Sequence, residues 1–393
     1  MREVGYCAMS GAKTYDVAVV GAGVFGAWVA LHLARRGKLV LLVDAYGPGH
    51  SRSSSGDESR IIRMGYGAEE IYTRWSQRSL IQWKELFAAT GTEALFQNTG
   101  VLWMAAAADP TLRATREVLT RCGAKFTDFD REALASKFSQ IGLEGIAEGI
   151  FEPESGVLMA RRAVAATVAE AVRIGVEFRA AVILEPQGAG KLREIASTSG
   201  EIFAAREFVF ACGAWLKKLF PKILGQRIFV TRQAVFYMSI PAGDGRFSAA
   251  ALPTWLIQND ECYGMPDLES RGLKVALDRH GEPVDPDTQS RLVTNAEIAE
   301  MRGYVARRFP ALKDAPIAET RVCQYENTSN GDFLIDRHPE LSNVWFAGGG
   351  SGHGFKHGPT VGQYLAGQLL GTVAPEPRFS LESKKRLQKR TVY

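Results

Sequence analysis

The stretch from residue 15 to residue 44 restricts the fold more than any other part of the chain. Residues 15–20, Tyr-Asp-Val-Ala-Val-Val, form a short Val-rich run, and Gly21-Ala-Gly23-Val24-Phe25-Gly26 follows directly. Residues 27–36 carry apolar side chains at helical spacing and are closed by Gly37. Residues 39–43 are a second apolar run, ended by Asp44. The order is strand, tight turn, helix, strand. Gly21 permits the turn, Gly23 lets the backbone approach a pyrophosphate, and Gly26 lets helix and strand pack closely. The helix start offers free N–H groups and a positive dipole end to phosphates. Asp44 lies about 20 residues beyond the glycines, where an acid takes ribose hydroxyls. Gly21, Gly23, Val24, Phe25, Gly26 and Asp44 are therefore candidate dinucleotide contacts. Without a ligand, the same string is only a glycine-rich turn.

The fingerprint does not separate NAD from FAD. Two later segments favour FAD. Glu207-Phe-Val-Phe-Ala-Cys-Gly213-Ala-Trp215 reads as a buried strand running into a small-residue turn, and Asn343-Val-Trp-Phe-Ala-Gly348 as another running into a glycine loop. Large flavoproteins return the chain to the cofactor at two such strand ends. Ordinary strands of a parallel sheet with glycine turns would look the same.

At 393 residues the chain is long for one core, and two domains are expected. A hydrophobic content of 46% with 23% charged residues is that of a globular enzyme. A net charge of +4 is too small to point to nucleic acid. The basic tail, Lys384-Lys-Arg-Leu-Gln-Lys-Arg390, is expected to be a solvated end. No continuous apolar run is long enough for a membrane span, and residues 1–14 read as a flexible leader without signal-peptide character. The five cysteines are scattered, with no CxxC, and the six histidines show no ligand spacing. Neither a disulfide framework nor a metal site is expected, and a cytoplasmic location is the default.

The organisation is interleaved. Residues 101–104, 232–238, 255–257 and 273–277 read as strands, 285–287 as a turn, and 294–309 as a helix. A strand-rich stretch within an α/β chain indicates an inserted second domain. The expected fold is α/β: a cofactor-binding Rossmann domain built from 15–95, 150–217 and 318–393, with a strand-rich α+β substrate domain built from 96–149 and 218–317.

Further strings lie along the chain: Gly56-Asp-Glu-Ser59-Arg60-Ile-Ile-Arg63, Arg232-Gln233, Tyr263-Gly-Met-Pro, Gly272-Leu-Lys274, Asp285-Pro-Asp-Thr288, Cys323-Gln-Tyr325 and Gly350-Ser-Gly352-His353-Gly354-Phe355-Lys356. In this order, together with the two segments above, they resemble the monomeric sarcosine oxidase and N-methyltryptophan oxidase family, from Asp16 almost to the C-terminus. The resemblance implies the glutathione-reductase-like FAD fold of the D-amino-acid oxidase superfamily. It also implies oxidation of a C–N bond in secondary or primary amino acids, with electrons passed to O2 to give hydrogen peroxide.

Roles implied by the resemblance follow residue by residue. Cys323 would hold FAD covalently through the flavin 8-methyl carbon. Tyr325, two residues on, shares its strand face and would look toward flavin and substrate. Arg63 and Lys356 would hold the substrate carboxylate, a guanidinium fork with an ammonium. Lys274 would sit near flavin N5 and help oxygen accept electrons, with Arg60 a second cation beside the ring. Tyr263 would line the pocket. Ser59, Gly213, Trp215, Gly350, Gly352, His353, Gly354 and Phe355 would join Arg60 and Lys356 around the cofactor. A monomer is expected.

The chain departs from the family near the pocket. Ser53-Ser-Ser55 stands where a His is common, the Asp57-Glu58-Ser59 spacing is one residue longer than in sarcosine oxidase, and Asp278 occupies a position that is His there. Asn327-Thr-Ser-Asn-Gly331 replaces the usual Thr-Pro-Asp. These changes put sarcosine itself in doubt and leave the chemistry. Alternatives are an amine dehydrogenase using another acceptor, a flavin-bearing non-catalytic subunit of a larger oxidase, and a nicotinamide dehydrogenase.

Overall fold

The fold is taken from a computed structural model, which describes residues 13–387. The expected leader lies almost wholly outside that range, as does the end of the basic tail. A seven-stranded sheet carries the fingerprint. Its main path runs Leu334–Arg337, Val344–Gly348, Ile202–Phe210, Thr14–Val20, Val40–Asp44, Glu177–Ala180, with Glu194–Ala196 paired to the side of Ile202–Phe210. Thr14–Val20 pairs parallel with both of its neighbours, so its carboxyl end opens between them. Residues 17–20 are buried, as a strand covered on both faces requires.

The helix Val24–Ala34 begins inside the fingerprint, three residues earlier than its apolar spacing indicates. All of its residues from Val24 to Leu33 are buried, which removes the polar face that would have marked its start. It packs against the helices Ala160–Arg173 and Gly358–Leu369. The approach to the latter depends on glycine: a Cβ on Gly362 would lie 2.6 Å from the Trp28 carbonyl carbon, and one on Gly358 2.5 Å from Val24 Cγ2.

The strand-rich stretch forms one eight-stranded sheet. Its order is Ile317–Asn327, Phe229–Met238, Leu273–Leu277, Cys262–Met265, Thr254–Ile257, Val101–Ala105, Glu148–Glu152, Thr127–Asp130. All pairs are antiparallel except Thr254–Ile257 with Val101–Ala105. The long pair at one edge sets Gln233 opposite Cys323 and Thr231 opposite Tyr325. The helix Asn295–Arg308 starts from a capping box of Thr294 and Glu297 and buries Met301, Tyr304 and Val305 with Trp255 and Val275. A three-stranded sheet, Arg60–Ile62, Gly156–Leu158 and Phe96–Gln97, carries Arg60 at its end.

Lys384 corrects the reading of the tail. It is fully buried, and Nζ donates to Asn330 Oδ1 at 3.2 Å and to the Arg378 carbonyl at 2.7 Å. A run of basic residues gave no sign that one of them turns inward. Burial holds its pKa down at about 8. Among the described residues, no helix is long and apolar enough to cross a membrane.

The fingerprint glycines separate by experiment. A Cβ on Gly26 would lie 1.8 Å from the Gly21 carbonyl oxygen. Gly26→Ala must therefore spread the first strand and helix, and its unfolding free energy should fall by about 1–3 kcal/mol or more in a denaturant titration. A Cβ on Gly23 meets only Ser55 Oγ at 3.6 Å, so Gly23→Ala should leave the apoprotein's midpoint nearly unchanged.

Candidate active site

The carboxyl ends of the parallel strands open onto a long cavity. It is lined by Gly21, Gly23, Val24 and Phe25, by Asp44, by Gly213 and Trp215, by Cys323 and Tyr325, and by Gly350, Gly352, Gly354 and Phe355. Residues far apart in sequence thus meet along one channel. Gly21 has φ +104°, and a Cβ there would lie 2.3 Å from the Ala211 carbonyl oxygen, so glycine is required at the turn. Asp44 is fixed at the rim of this channel. Its Oδ2 accepts from Ala22 N at 2.7 Å, and its Oδ1 from Tyr46 N and Gly47 N at 2.8 Å. The open space above Gly23 and the held carboxylate of Asp44 fit a dinucleotide lying over the helix start.

A smaller cavity adjoins the first. Arg63, Lys356, Tyr263, Asp278 and His353 line it, and Arg60, Tyr325, Gly352 and Phe355 line both. His353 and Lys356, expected to contact the cofactor, therefore face the small cavity. Lys274, Ser59 and Gly26 are not among the lining residues of either.

Lys274 lies behind the shared wall, 1% exposed. Its Nζ donates to Asp57 Oδ2 at 2.6 Å, to the Ser59 carbonyl at 2.9 Å and to Ser59 Oγ at 3.1 Å. Arg60 Nη1 donates to the same Asp57 oxygen and to the Ser59 carbonyl; Nη2 reaches the Ser54 carbonyl at 2.9 Å and Cys323 Sγ at 3.1 Å. Asp57 Oδ1 accepts from Glu58 N at 2.8 Å and Tyr237 OH at 3.4 Å. Burial pushes the Asp57 carboxyl up, but the charges of Lys274 and Arg60 outweigh it and hold the group well below the carboxylate range. For Lys274, burial and the Arg60 charge outweigh Asp57 and lower it.

Arg63 and Lys356 are each 4% exposed. The Arg63 guanidinium lies over the Tyr66 ring at 4.2 Å and the Trp103 ring at 4.6 Å, and Nη1 donates to the Gly65 carbonyl. Glu152 sets this segment: Oε2 accepts from Met64 N at 2.6 Å, and Oε1 accepts from Gly65 N and Trp103 Nε1, both at 2.8 Å. Lys356 Nζ donates to Tyr66 OH at 2.8 Å and to the His353 carbonyl at 3.0 Å. Tyr66 OH in turn lies 2.8 Å from His357 Nε2. Burial, and then the charge of Arg63, hold the Lys356 amine well below the usual lysine range. Tyr325 OH donates to Asp278 Oδ1 at 2.9 Å, and burial pushes the Tyr325 and Tyr263 phenols up.

Asp57, Tyr66, Glu152 and Tyr237 were not singled out by the sequence. Asp57 stands inside the Gly56-to-Arg63 string and could have been found there. Tyr66, Glu152 and Tyr237 come from separate elements and carry no spacing signal. Among the described residues, no group of His, Cys, Asp and Glu could hold a metal ion.

Removing the Asp57 carboxylate leaves two buried cations together, so Asp57→Ala should cost about 3–5 kcal/mol in unfolding free energy. Because the folded-state pKa is depressed, this contribution is present above the unfolded value of about 3.9 and is lost as pH falls through the folded value. The difference between parent and variant, measured by denaturant titration, should therefore narrow as pH drops below about 4.

The family model described as FAD dependent oxidoreductase matches residues 16–368. A monomeric sarcosine oxidase of Bacillus sp. is 30% identical over 385 residues, 95% of this chain and 97% of that protein. An N-methyl-L-tryptophan oxidase of Escherichia coli is 26% identical over 367 residues, 90% of this chain and 94% of that protein. Among solved structures, L-proline dehydrogenase from P. horikoshii superposes with a TM-score of 0.81 at 20% identity, covering 94% of this chain and 97% of that one. This chain belongs to the FAD dependent oxidoreductase family, in the group of the monomeric sarcosine and N-methyltryptophan oxidases.

Proposed function

We propose that the protein oxidises the C–N bond of an amino acid, secondary (N-methyl or cyclic) or primary, to an imine and passes the electrons to O2, giving hydrogen peroxide. The observation that carries this is the pair of buried basic side chains, Arg63 and Lys356, lining a small cavity whose wall of Arg60, Tyr325, Gly352 and Phe355 it shares with the larger channel. A cation pair in a partly dry pocket selects a carboxylate. The shared wall brings the substrate's reacting carbon up to the flavin. When bound, FAD supplies the acceptor for a hydride equivalent, and the chain's residues bind and orient. Arg63 and Lys356 hold the carboxylate, while Tyr263 and Tyr325 border the remainder. A monomer is the proposed working unit, as the name of the monomeric sarcosine oxidase relative suggests.

Cys323 is the proposed covalent link, since its sulfur meets Arg60 where that residue borders both cavities. Arg60 and Lys274 are the proposed cations for oxygen reduction. With all three of its N–H groups used by Asp57 and Ser59, Lys274 would act as a fixed charge rather than a direct donor. Its pairing with Asp57 also favours a second reading, a dehydrogenase with another acceptor, because a neutralised cation assists oxygen less.

Anaerobic mixing with N-methyl, cyclic and D-amino acids tests the proposal. At least one should bleach the flavin, and admitted air should restore the colour with release of peroxide. Restoration only by an added dye identifies the dehydrogenase. No bleaching by any of them sinks the oxidase reading.

The colour should stay with the parent chain after acid precipitation and leave Cys323→Ser. Release of all flavin from both would remove the covalent link and leave FAD. Arg63→Ala should weaken binding of an amino-acid substrate by about 1.5–3 kcal/mol, roughly tenfold to over a hundredfold. The matched amine without the carboxylate should be unaffected. Equal losses for acid and amine in rapid-mixing experiments would move the carboxylate site elsewhere.

A further inference from the structure

An amino-acid substrate reaches the site mainly as an ammonium, since its nitrogen has a pKa near that of lysine, about 10. Oxidation of the C–N bond needs the free amine, because the nitrogen lone pair must support the charge left on carbon. Some group must accept the ammonium proton. The lining of the small cavity offers few candidates. Arg60 and Arg63 cannot accept a proton. The phenols of Tyr263 and Tyr325 are pushed up by burial and are already protonated. Asp278 already accepts from Tyr325 OH at 2.9 Å, and a carboxylate is by nature a much weaker base than an amine.

Lys356 differs. Nζ is buried and has two hydrogen-bond acceptors, Tyr66 OH at 2.8 Å and the His353 carbonyl at 3.0 Å. A neutral amine donates two hydrogens and an ammonium three. The charged and titratable groups around it are Arg63 and Tyr66 from the segment after Arg60–Ile62, Glu152 and Asp278 from the eight-stranded sheet and its edge, and His353 and His357 from its own loop. Arg63 opposes the ammonium. Glu152 and Asp278 favour it by their charge. Burial, with the charge of Arg63 in addition, pushes both histidines down, so neither supplies a negative charge or competes strongly for a proton.

We propose that Lys356 is neutral in the empty pocket and takes the substrate's ammonium proton as the carboxylate binds. The incoming carboxylate adds a negative charge beside Nζ, and the lysine becomes an ammonium next to it. The N–H bond of the substrate breaks with its electron pair left on nitrogen, and a new N–H bond forms at Nζ. The proton count is closed within the complex, and the amine is freed without loss of a proton to solvent. The low position of Lys356 agrees with this assignment. The inference rests on the carboxylate clamp proposed above and adds a catalytic role to one half of it.

The test uses butanoate, a carboxylate of similar length to a small N-methyl amino acid but without the amine. Calorimetric titrations of the flavin-loaded protein in buffers of different ionisation enthalpy count the protons exchanged. Butanoate should draw about one proton per site from solution near pH 7, and its dissociation constant should rise about tenfold per pH unit above the pKa of the empty-site lysine. Lys356→Arg, which is charged in both states, should bind butanoate with no proton uptake and a flat pH profile. If that variant fails to fold, the parent's own proton count and pH profile decide. Butanoate that binds through Arg63, as judged by its loss in Arg63→Ala, yet takes up no proton at any pH from about 6 to 9 overturns the inference and leaves the clamp. Uptake that persists in Lys356→Arg also overturns it. Butanoate that does not bind, or binds equally to Arg63→Ala, removes the clamp and the inference with it.

Discussion

The shared wall of the two cavities hangs on one buried carboxylate. Asp57 takes Lys274 from the eight-stranded sheet and Arg60 from the three-stranded sheet on the same oxygen, and Arg60 reaches on to Cys323. Three parts of the chain are thereby fixed where the two cavities meet. An isolated buried charge is costly, and two cations without Asp57 would repel each other in a low-dielectric setting. The neighbouring Glu58 acts in the same manner, pairing with Arg161, Arg271 and Arg321. The short segment from Gly56 to Arg63 is therefore a knot of ion pairs as well as a binding motif. Its charges were visible in the sequence, while Lys274, Arg161, Arg271 and Arg321, which pair with them, lie more than a hundred residues away.

Much of the cofactor half was legible because its constraints are local. Gly21, Gly23 and Gly26 each meet the steric condition that their spacing implied, and Asp44 ends the next strand at the rim of the channel. Strands at 101–104, 232–238, 255–257 and 273–277 were readable from alternation and β-branched content, and all are strands in the structure. The start of the first helix was not, since a helix buried all round has no polar face to mark it. Nor was the inward turn of Lys384, because a charge run says nothing about which member finds acceptors.

The small cavity was legible only through resemblance. Arg63 in Arg-Ile-Ile-Arg has no intrinsic mark of a binding residue, and its setting by Glu152 and Trp103 is a tertiary fact. The same holds for the hydrogen-bonded series from Lys356 through Tyr66 to His357, which gives the lysine an unusual environment. Asp278, where the resemblance leads us to expect a departure from sarcosine oxidase, lines that cavity and accepts from Tyr325. It lines the proposed substrate cavity, away from the glycine turn. The group's chemistry can be kept there while the substrate changes.

The account turns on one spatial claim, that cofactor and substrate meet across Arg60, Tyr325, Gly352 and Phe355. A crystal structure of the flavin-loaded protein with a bound carboxylate tests it most directly. The flavin ring should lie against that wall with its dimethylbenzene edge toward Cys323, and the carboxylate between Arg63 and Lys356. A ring elsewhere in the channel, or a carboxylate bound away from those two side chains, would contradict it.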